Sequence, residues 1–322
     1  AGHDVTVFCA QWWDGHEDDR EVDGVRYRRV TLGPAPTSFS YRIPFSIARH
    51  RPDVIHARAT PPQSIVGASV GGTLTRTPLV VDWFGDENLP TGSRWTRWAA
   101  TEPAMVVTPS EMVRTDVREL GATGEATRVI PESIDFDLVE ETEPDEPIDV
   151  AYAHPLDESA NLGSLLLGLA ELRTKDWRAR IIGDGPERAD YEEQAADLRI
   201  DDRVEFVGAC DRERRLAIYR SAHVFVQTAS REYFATELLW ALACGCIGVV
   251  EYQAESAAHE LIEGYERSYR VTSPQGIADA IADAGEFDRQ DIDPEWAGYD
   301  HDAVLGRYVD CYEEVVAEHG FL

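Results

Sequence analysis

The run Arg231-Glu232-Tyr233-Phe234-Ala235-Thr236-Glu237 places a carboxylate and a guanidinium just ahead of an apolar helical stretch, 238–244. The first amides of a helix lack intrahelical partners, and the helix dipole adds positive potential there. Ala235, Thr236 and Glu237 therefore offer a seat for a pyrophosphate, with Arg231 as its counter-charge. Upstream, Ile181-Ile182-Gly183-Asp184-Gly185-Pro186 is a β-branched run that breaks into a glycine turn. Glycine puts no side chain between backbone and ligand, and open α/β sheets bind ligands at the carboxyl ends of their strands. Gly183 and Gly185 are expected at the floor of the same site; the alternative is a plain turn. In the first third of the chain His56 ends the run Val54-Ile55-His56, and Asp82, with Asp86 beyond it, follows 79–81. A strand-end imidazole or carboxylate can take a proton from a hydroxyl; the alternative reading of His56 is a structural histidine.

Residues so placed need strands that end where the chemistry begins. Short β-branched runs at 5–9, 54–56, 79–81, 105–108, 150–153, 179–182, 204–207, 224–227 and 247–250 alternate with helical periodicity. That alternation predicts an α/β fold of parallel sheets covered by helices. With 322 residues, 43% of them hydrophobic, the chain is large enough for two cores. The acidic, proline-bearing stretch 140–147 reads as a linker, dividing the chain into domains 1–143 and 144–298. A tail, 299–322, carries a closing helix.

Charge narrows the function classes. Sixty Asp and Glu face thirty Lys and Arg, a formal charge of −30, which excludes general affinity for nucleic acid. Halophiles use such charge, and a cytoplasmic protein of a high-salt cell is expected. Cys9, Cys210, Cys244, Cys246 and Cys311 show no Cys-x-x-Cys pairing, so neither disulfides nor structural zinc are expected. Asp135-Phe136-Asp137 and Asp291-Ile292-Asp293 are the chance pairs of an acidic chain, and no metal site is read into them. No apolar run reaches membrane-spanning length and no export leader opens the sequence.

One stretch opposes the overall charge. Seven arginines and one acid, Asp53, lie within 26–58, interleaved with Tyr27, Phe39, Tyr41, Ile43, Phe45 and Ile47. The composition suits peripheral contact with an anionic membrane at its inner face, or a polyprenyl-phosphate acceptor. The alternative is that these arginines pair with surface acids. Arg94-Trp95-Thr96-Arg97-Trp98 is a second, smaller patch of the same kind.

In order and spacing, "GHDVTVF", "RPDVIHAR", "VVTPSEMVRTDVRELGA" with "RVIPESIDFD", then "RIIGDGPER", "RVEFVGA" and "SREYFATELLWALACGCIGVV" resemble the retaining glycosyltransferases of family 4, in a haloarchaeal-type, acidic version. The resemblance implies a GT-B fold, two Rossmann-like domains facing across a cleft. It also implies a nucleotide-sugar held by the C-terminal domain, a glycan or polyprenyl-phosphate-linked acceptor held by the N-terminal one, and no metal or other cofactor. The first glutamate of the family's Glu-x7-Glu pair, which contacts the transferred sugar, maps onto Glu232; the second place holds Trp240. Glu237 would have to substitute for the lost carboxylate, while Trp240 would stack on a base or sugar or fill the core. His154 and Ala160 stand where the family keeps the Arg and Lys of the diphosphate site, leaving Arg231, ahead of Arg188 and Arg212, as the nearest cation. The family's first strand and glycine-rich loop have no counterpart before Ala1-Gly2-His3-Asp4. The implied activity is transfer of a sugar with retention; the alternative is a catalytically inactive homologue that binds sugar or scaffolds a partner. A dinucleotide oxidoreductase is disfavoured, because no Gly-x-Gly-x-x-Gly follows a strand.

Overall fold

The computed structural model describes residues 2–87, 89–90 and 92–319. The chain divides into two compact units, one drawn from Ala1–Pro109, Val113–Ile130 and Arg307–Leu322, the other from Ser110–Met112 and Pro131–Gly306. The divisions differ from 143 and 298 for a packing reason. Ile134, Phe136 and Val139 are buried in the core of the second unit, so the chain has already joined it before the acidic stretch begins. At the other end Ile134 bridges to Asp300, and the His301 amide donates to the Ile134 carbonyl at 3.0 Å, which keeps 299–306 with that unit.

The first unit contains β1 (Thr6–Ala10), β2 (Asp19–Val22), β3 (Val25–Thr31), α1 (Pro36–His50), β4 (Ile55–Arg58), α2 (Pro62–Thr75), β5 (Leu79–Asp82), α3 (Arg94–Thr101), β6 (Met105–Thr108), α4 (Glu111–Glu119) and β7 (Thr127–Val129). Strand β3 lies between β1, parallel to it, and β2, antiparallel to it. Asp23 and Gly24 join β2 to β3 with φ of 52° and 77°, the two left-handed residues that a tight hairpin requires. Strands β4, β5, β6 and β7 form a second, wholly parallel sheet in that order. Met105, Val106 and Val107 are buried in continuous sequence, as a strand covered on both faces must be. Helix α1 packs on α2 at glycines: a Cβ on Gly67 would stand 2.5 Å from the Ser40 carbonyl, and one on Gly71 2.7 Å from Ile47 Cδ1.

The second unit continues with α5 (Phe136–Glu141), β8 (Val150–Ala153), α6 (Leu162–Glu171), β9 (Ala179–Ile182), α7 (Arg188–Asp197), β10 (Val204–Gly208), α8 (Arg212–Ser221), β11 (Val224–Gln227), β12 (Arg231–Glu232), α9 (Thr236–Ala243), β13 (Ile247–Glu251), β14 (Glu255–Ser256), α10 (Ala258–Leu261), β15 (Ser268–Val271) and α11 (Pro274–Ala284); α12 (His301–His319) starts in it and belongs to the first unit from Arg307 onward. Its main sheet runs β10-β9-β8-β11-β13-β15, all parallel. The chain builds outward from β8 through β9 to β10, then returns to the other flank of β8 and builds through β11, β13 and β15. That reversal falls between β8 and β11, and the carboxyl ends of such a strand pair are where open α/β sheets take ligands. Helix α6 is apolar on nearly every side, and Leu162, Leu165, Leu166 and Leu169 are fully buried. Asp135 and Asp293, from the two Asp-x-Asp pairs, serve as helix caps: they accept the amides of Leu138 and Glu295, each at 3.0 Å. Among the described residues no helix is long and apolar enough to cross a membrane.

Candidate functional site

The reversal point of the second sheet gathers an imidazole, a carboxylate and an amide. His154 follows β8, Gln227 ends β11, and Glu232 lies in β12, whose backbone pairs with β14 while its carbonyl accepts the Ala257 amide at 2.7 Å. This short ribbon holds Glu232 still. Its carboxylate stands 3.5 Å from His154 Nε2 and accepts from Gln227 Nε2 at 3.4 Å. The side chains of His154 and Glu232 keep 12% and 22% of their surface exposed, so the pair is sheltered but reachable. His154 Nδ1 donates to the Pro155 carbonyl at 2.8 Å, which turns Nε2 toward the carboxylate. Burial opposes the charged ring, but the Glu232 carboxylate and the Pro155 carbonyl outweigh it and raise the His154 pKa above 6.5.

The loop that carries His154 is fastened along its length. Asp157 accepts the Ser159 amide and hydroxyl at 2.8 and 2.6 Å, and its pKa is lowered chiefly by that hydroxyl. The Ala160 carbonyl accepts from the hydroxyls of Tyr152 and Thr228 at 2.7 and 3.1 Å. Buried Glu251, at the end of β13, accepts from Asn161 Nδ2 at 2.9 Å and Ser164 Oγ at 2.8 Å and so fixes the start of α6. Gly183 and Gly185, expected at the floor of the donor site, are packed closely against protein backbone. A Cβ on Gly183 would lie 2.0 Å from the His154 carbonyl, and one on Gly185 2.3 Å from the Leu156 carbonyl. The close approach they permit is between two protein loops, and it sets the height of His154.

The side chains of Arg231, Thr236, Glu237 and Trp240 are engaged with protein. Arg231 is well exposed and binds Glu255 through Nε and Nη2 at 3.2 and 3.0 Å. Thr236 Oγ1 donates to Glu132 at 2.5 Å, and Ala235, the residue before α9, is buried. Trp240 is 5% exposed within the core, with the Arg212 guanidinium over its ring at 5.5 Å, which places it with the packed residues. Glu237 pairs with Arg215 and accepts the hydroxyl of fully buried Tyr219 at 2.6 Å. Glu237→Ala would strand that hydroxyl, and a loss of about 2 kcal/mol in urea-unfolding stability is expected, with nucleotide affinity unchanged. Weaker nucleotide binding without loss of stability would instead put Glu237 on a ligand.

His56 and Asp82 form a cluster of their own in the first unit. His56 Nε2 is 3.0 Å from Asp82 Oδ2, and its Nδ1 lies 2.5 Å from the Tyr312 hydroxyl. Tyr308 donates to Asp82 Oδ1 at 3.2 Å. Burial and the Asp82 charge push Tyr312 up to about 12 and Tyr308 higher still, so both hydroxyls keep their protons. The polar atoms of His56 and Asp82 thus meet α12, in a network that ties helix to sheet.

Sequence reasoning missed Gln227 and Glu251 as parts of this neighbourhood. Each is a polar residue closing an otherwise apolar strand, at the end where ligands bind, and that is the pattern that marks them.

Residues 133–289 match the family model described as Glycosyl transferases group 1, and residues 1–138 the model described as Glycosyltransferase Family 4. No curated protein matches the chain. A glycosyltransferase from Rickettsia africae ESF-5 has a similar structure at a TM-score of 0.74, with 13% identity over 90% of this chain and 85% of that one. The sucrose-phosphate synthase of Thermosynechococcus elongatus gives 0.70, 18% identity, and 98% and 90% coverage. Anabaena HepE in complex with UDP gives 0.66, 16% identity, and 90% and 86% coverage. These likenesses show the fold, GT-B with two Rossmann-like halves. Together with two family models that overlap and run over residues 1–289, they place the chain among the GT-B glycosyltransferases of the family 4 type.

Proposed function

We propose that the protein transfers a hexosyl group, with retention, from a nucleotide-sugar to a glycan or polyprenyl-phosphate-linked acceptor in the cytoplasm. The observation that carries this reading is the His154–Glu232 pair at the reversal point of the second sheet. A donor there presents its sugar to Glu232 and its diphosphate to the imidazolium of His154, which takes the role that Arg and Lys hold elsewhere in the family. UDP is bound by the similar Anabaena protein, which was also solved with UDP-glucose, and this supports a nucleotide-sugar donor. Retention rests on the family 4 match, and the acceptor hydroxyl gives its proton to the departing phosphate or to a protein base. Neither the donor nor its reaction asks for a metal or other cofactor.

Calorimetry in molar salt against a panel of nucleotide-sugars tests the reading: micromolar binding of at least one is expected, and no heat from any would contradict it. Binding should also depend on pH. As pH rises from 6.5 through the raised pKa of His154, the imidazolium is lost and donor affinity falls by about tenfold. His154→Gln should bind weakly and without that slope. The same raised pKa stabilises the fold below pH 6.5 and ceases to do so as pH passes the folded-state value, so unfolding midpoints should decline over the same range.

A further inference from the structure

The first unit carries the strongest departure from the chain's overall charge. Across 24–81 the sequence has one acid, Asp53, and eight arginines, in a chain of −30. Neither α1 nor α2 contains an Asp or Glu. Three of these arginines are paired: Arg28 with Asp19 at 2.7 Å, Arg29 with Asp18, and Arg58 with Asp86 at 3.5 Å. Among the described residues Arg26, Arg42, Arg49 and Arg51 make no ion pair. The alternative set by the sequence, a patch neutralised by surface acids, therefore accounts for less than half of it.

The same face is apolar where it should be polar. Helix α1 meets α2 through Ser40, Ile43 and Ile47, and with about 100° between successive helical residues Tyr41, Phe45 and Arg49 fall on the opposite side. Tyr41 and Phe45 are 75% and 77% exposed, and Leu32, just before the helix, is 77% exposed. Two exposed aromatic side chains on the α1 face, with Leu32 exposed ahead of the helix and Arg42 and Arg49 outside any ion pair, Arg42 also donating to the Val30 carbonyl at 3.4 Å, form the composition of an interfacial helix.

We propose that this face of α1 docks the protein onto an anionic lipid bilayer. Leu32, Tyr41 and Phe45 enter the headgroup region, and Arg42 and Arg49 meet lipid phosphates. Charge selects the occupant. A neutral bilayer leaves the arginines unmatched, a second copy of this face repels the first, and an acidic protein surface offers no apolar layer for the aromatics. The inference concerns the first unit and stands apart from the donor reading.

The test is co-sedimentation of the full chain with vesicles of phosphatidylcholine alone and of equal parts phosphatidylcholine and phosphatidylglycerol. Binding to the anionic vesicles only is expected, despite the net charge, and it should weaken in molar salt. Tyr41→Ser with Phe45→Ser, and separately Arg49→Glu, should each lower the partition coefficient at least tenfold, on the order expected for surface-active side chains, with unchanged circular dichroism. Leu167→Ser, which removes an exposed apolar side chain of the second unit, should leave it unchanged. Equal binding to both vesicles, or equal losses in the Leu167 variant, would overturn the proposal. So would self-association of the free protein that the α1 variants abolish, since the face would then belong to a second copy.

Discussion

Glu232→Gln is expected to lower kcat for sugar transfer by about a thousandfold and to leave the unfolding midpoint almost unchanged. The substitution keeps shape and hydrogen-bonding capacity: the new side-chain oxygen can accept from Gln227 Nε2 while Gln227 Oε1 keeps the Ala229 amide, so packing has little reason to respond. What disappears is negative charge beside the transferred sugar, where the transition state develops positive character. A second consequence is separable from turnover. Without the carboxylate only the Pro155 carbonyl and the Asp157 charge offset the burial of His154, so its pKa falls and less imidazolium is left to meet a diphosphate. An NMR titration of His154 should therefore move downward in the variant. Full activity, or an unmoved His154, would remove Glu232 from the site.

Gly183→Ala should cost the second unit about 4 kcal/mol in chemical denaturation and abolish donor binding. Two effects add. The residue holds φ at 132°, where an L side chain is strained, and its Cβ would sit 2.0 Å from the carbonyl of His154. Relief requires the His154 loop to move, yet that loop is held by the Ser159, Ala160 and Asn161 contacts and has little freedom to give way. Gly33→Ala is the control: it has negative φ and open space around it, and a change within about 0.5 kcal/mol is expected. A Gly183 variant of unaltered stability would mean that the two loops do not meet as described.

Much of the fold was legible because buried parallel strands write themselves as apolar runs: β8, β11 and β13 are buried throughout, and the sequence shows them plainly. The β2–β3 hairpin is marked in the sequence only by its Asp23-Gly24 turn, because the arginines of 25–31 mask the alternation of a half-buried strand. The linker was placed by its acids and prolines, whereas the chain joins the second core earlier, at Ile134, through contacts that composition does not encode. In the site, Glu232 and the glycine turn were visible from local pattern. Gln227 and His154 become neighbours only once β11 is known to lie beside β8, and strand order across a sheet is a long-range property. Glu237 and Trp240 stayed open in the sequence for a related reason: their partners, Arg215, Tyr219 and Arg212, come from α8, far enough away in sequence to leave no local trace.

If an activated sugar rests on Glu232 between β8 and β11, crystals of the protein soaked with UDP-glucose should show a glucose hydroxyl within about 3 Å of the Glu232 carboxylate and the diphosphate beside His154 Nε2. Donor density elsewhere, with Glu232 and His154 still facing only each other, would contradict that placement.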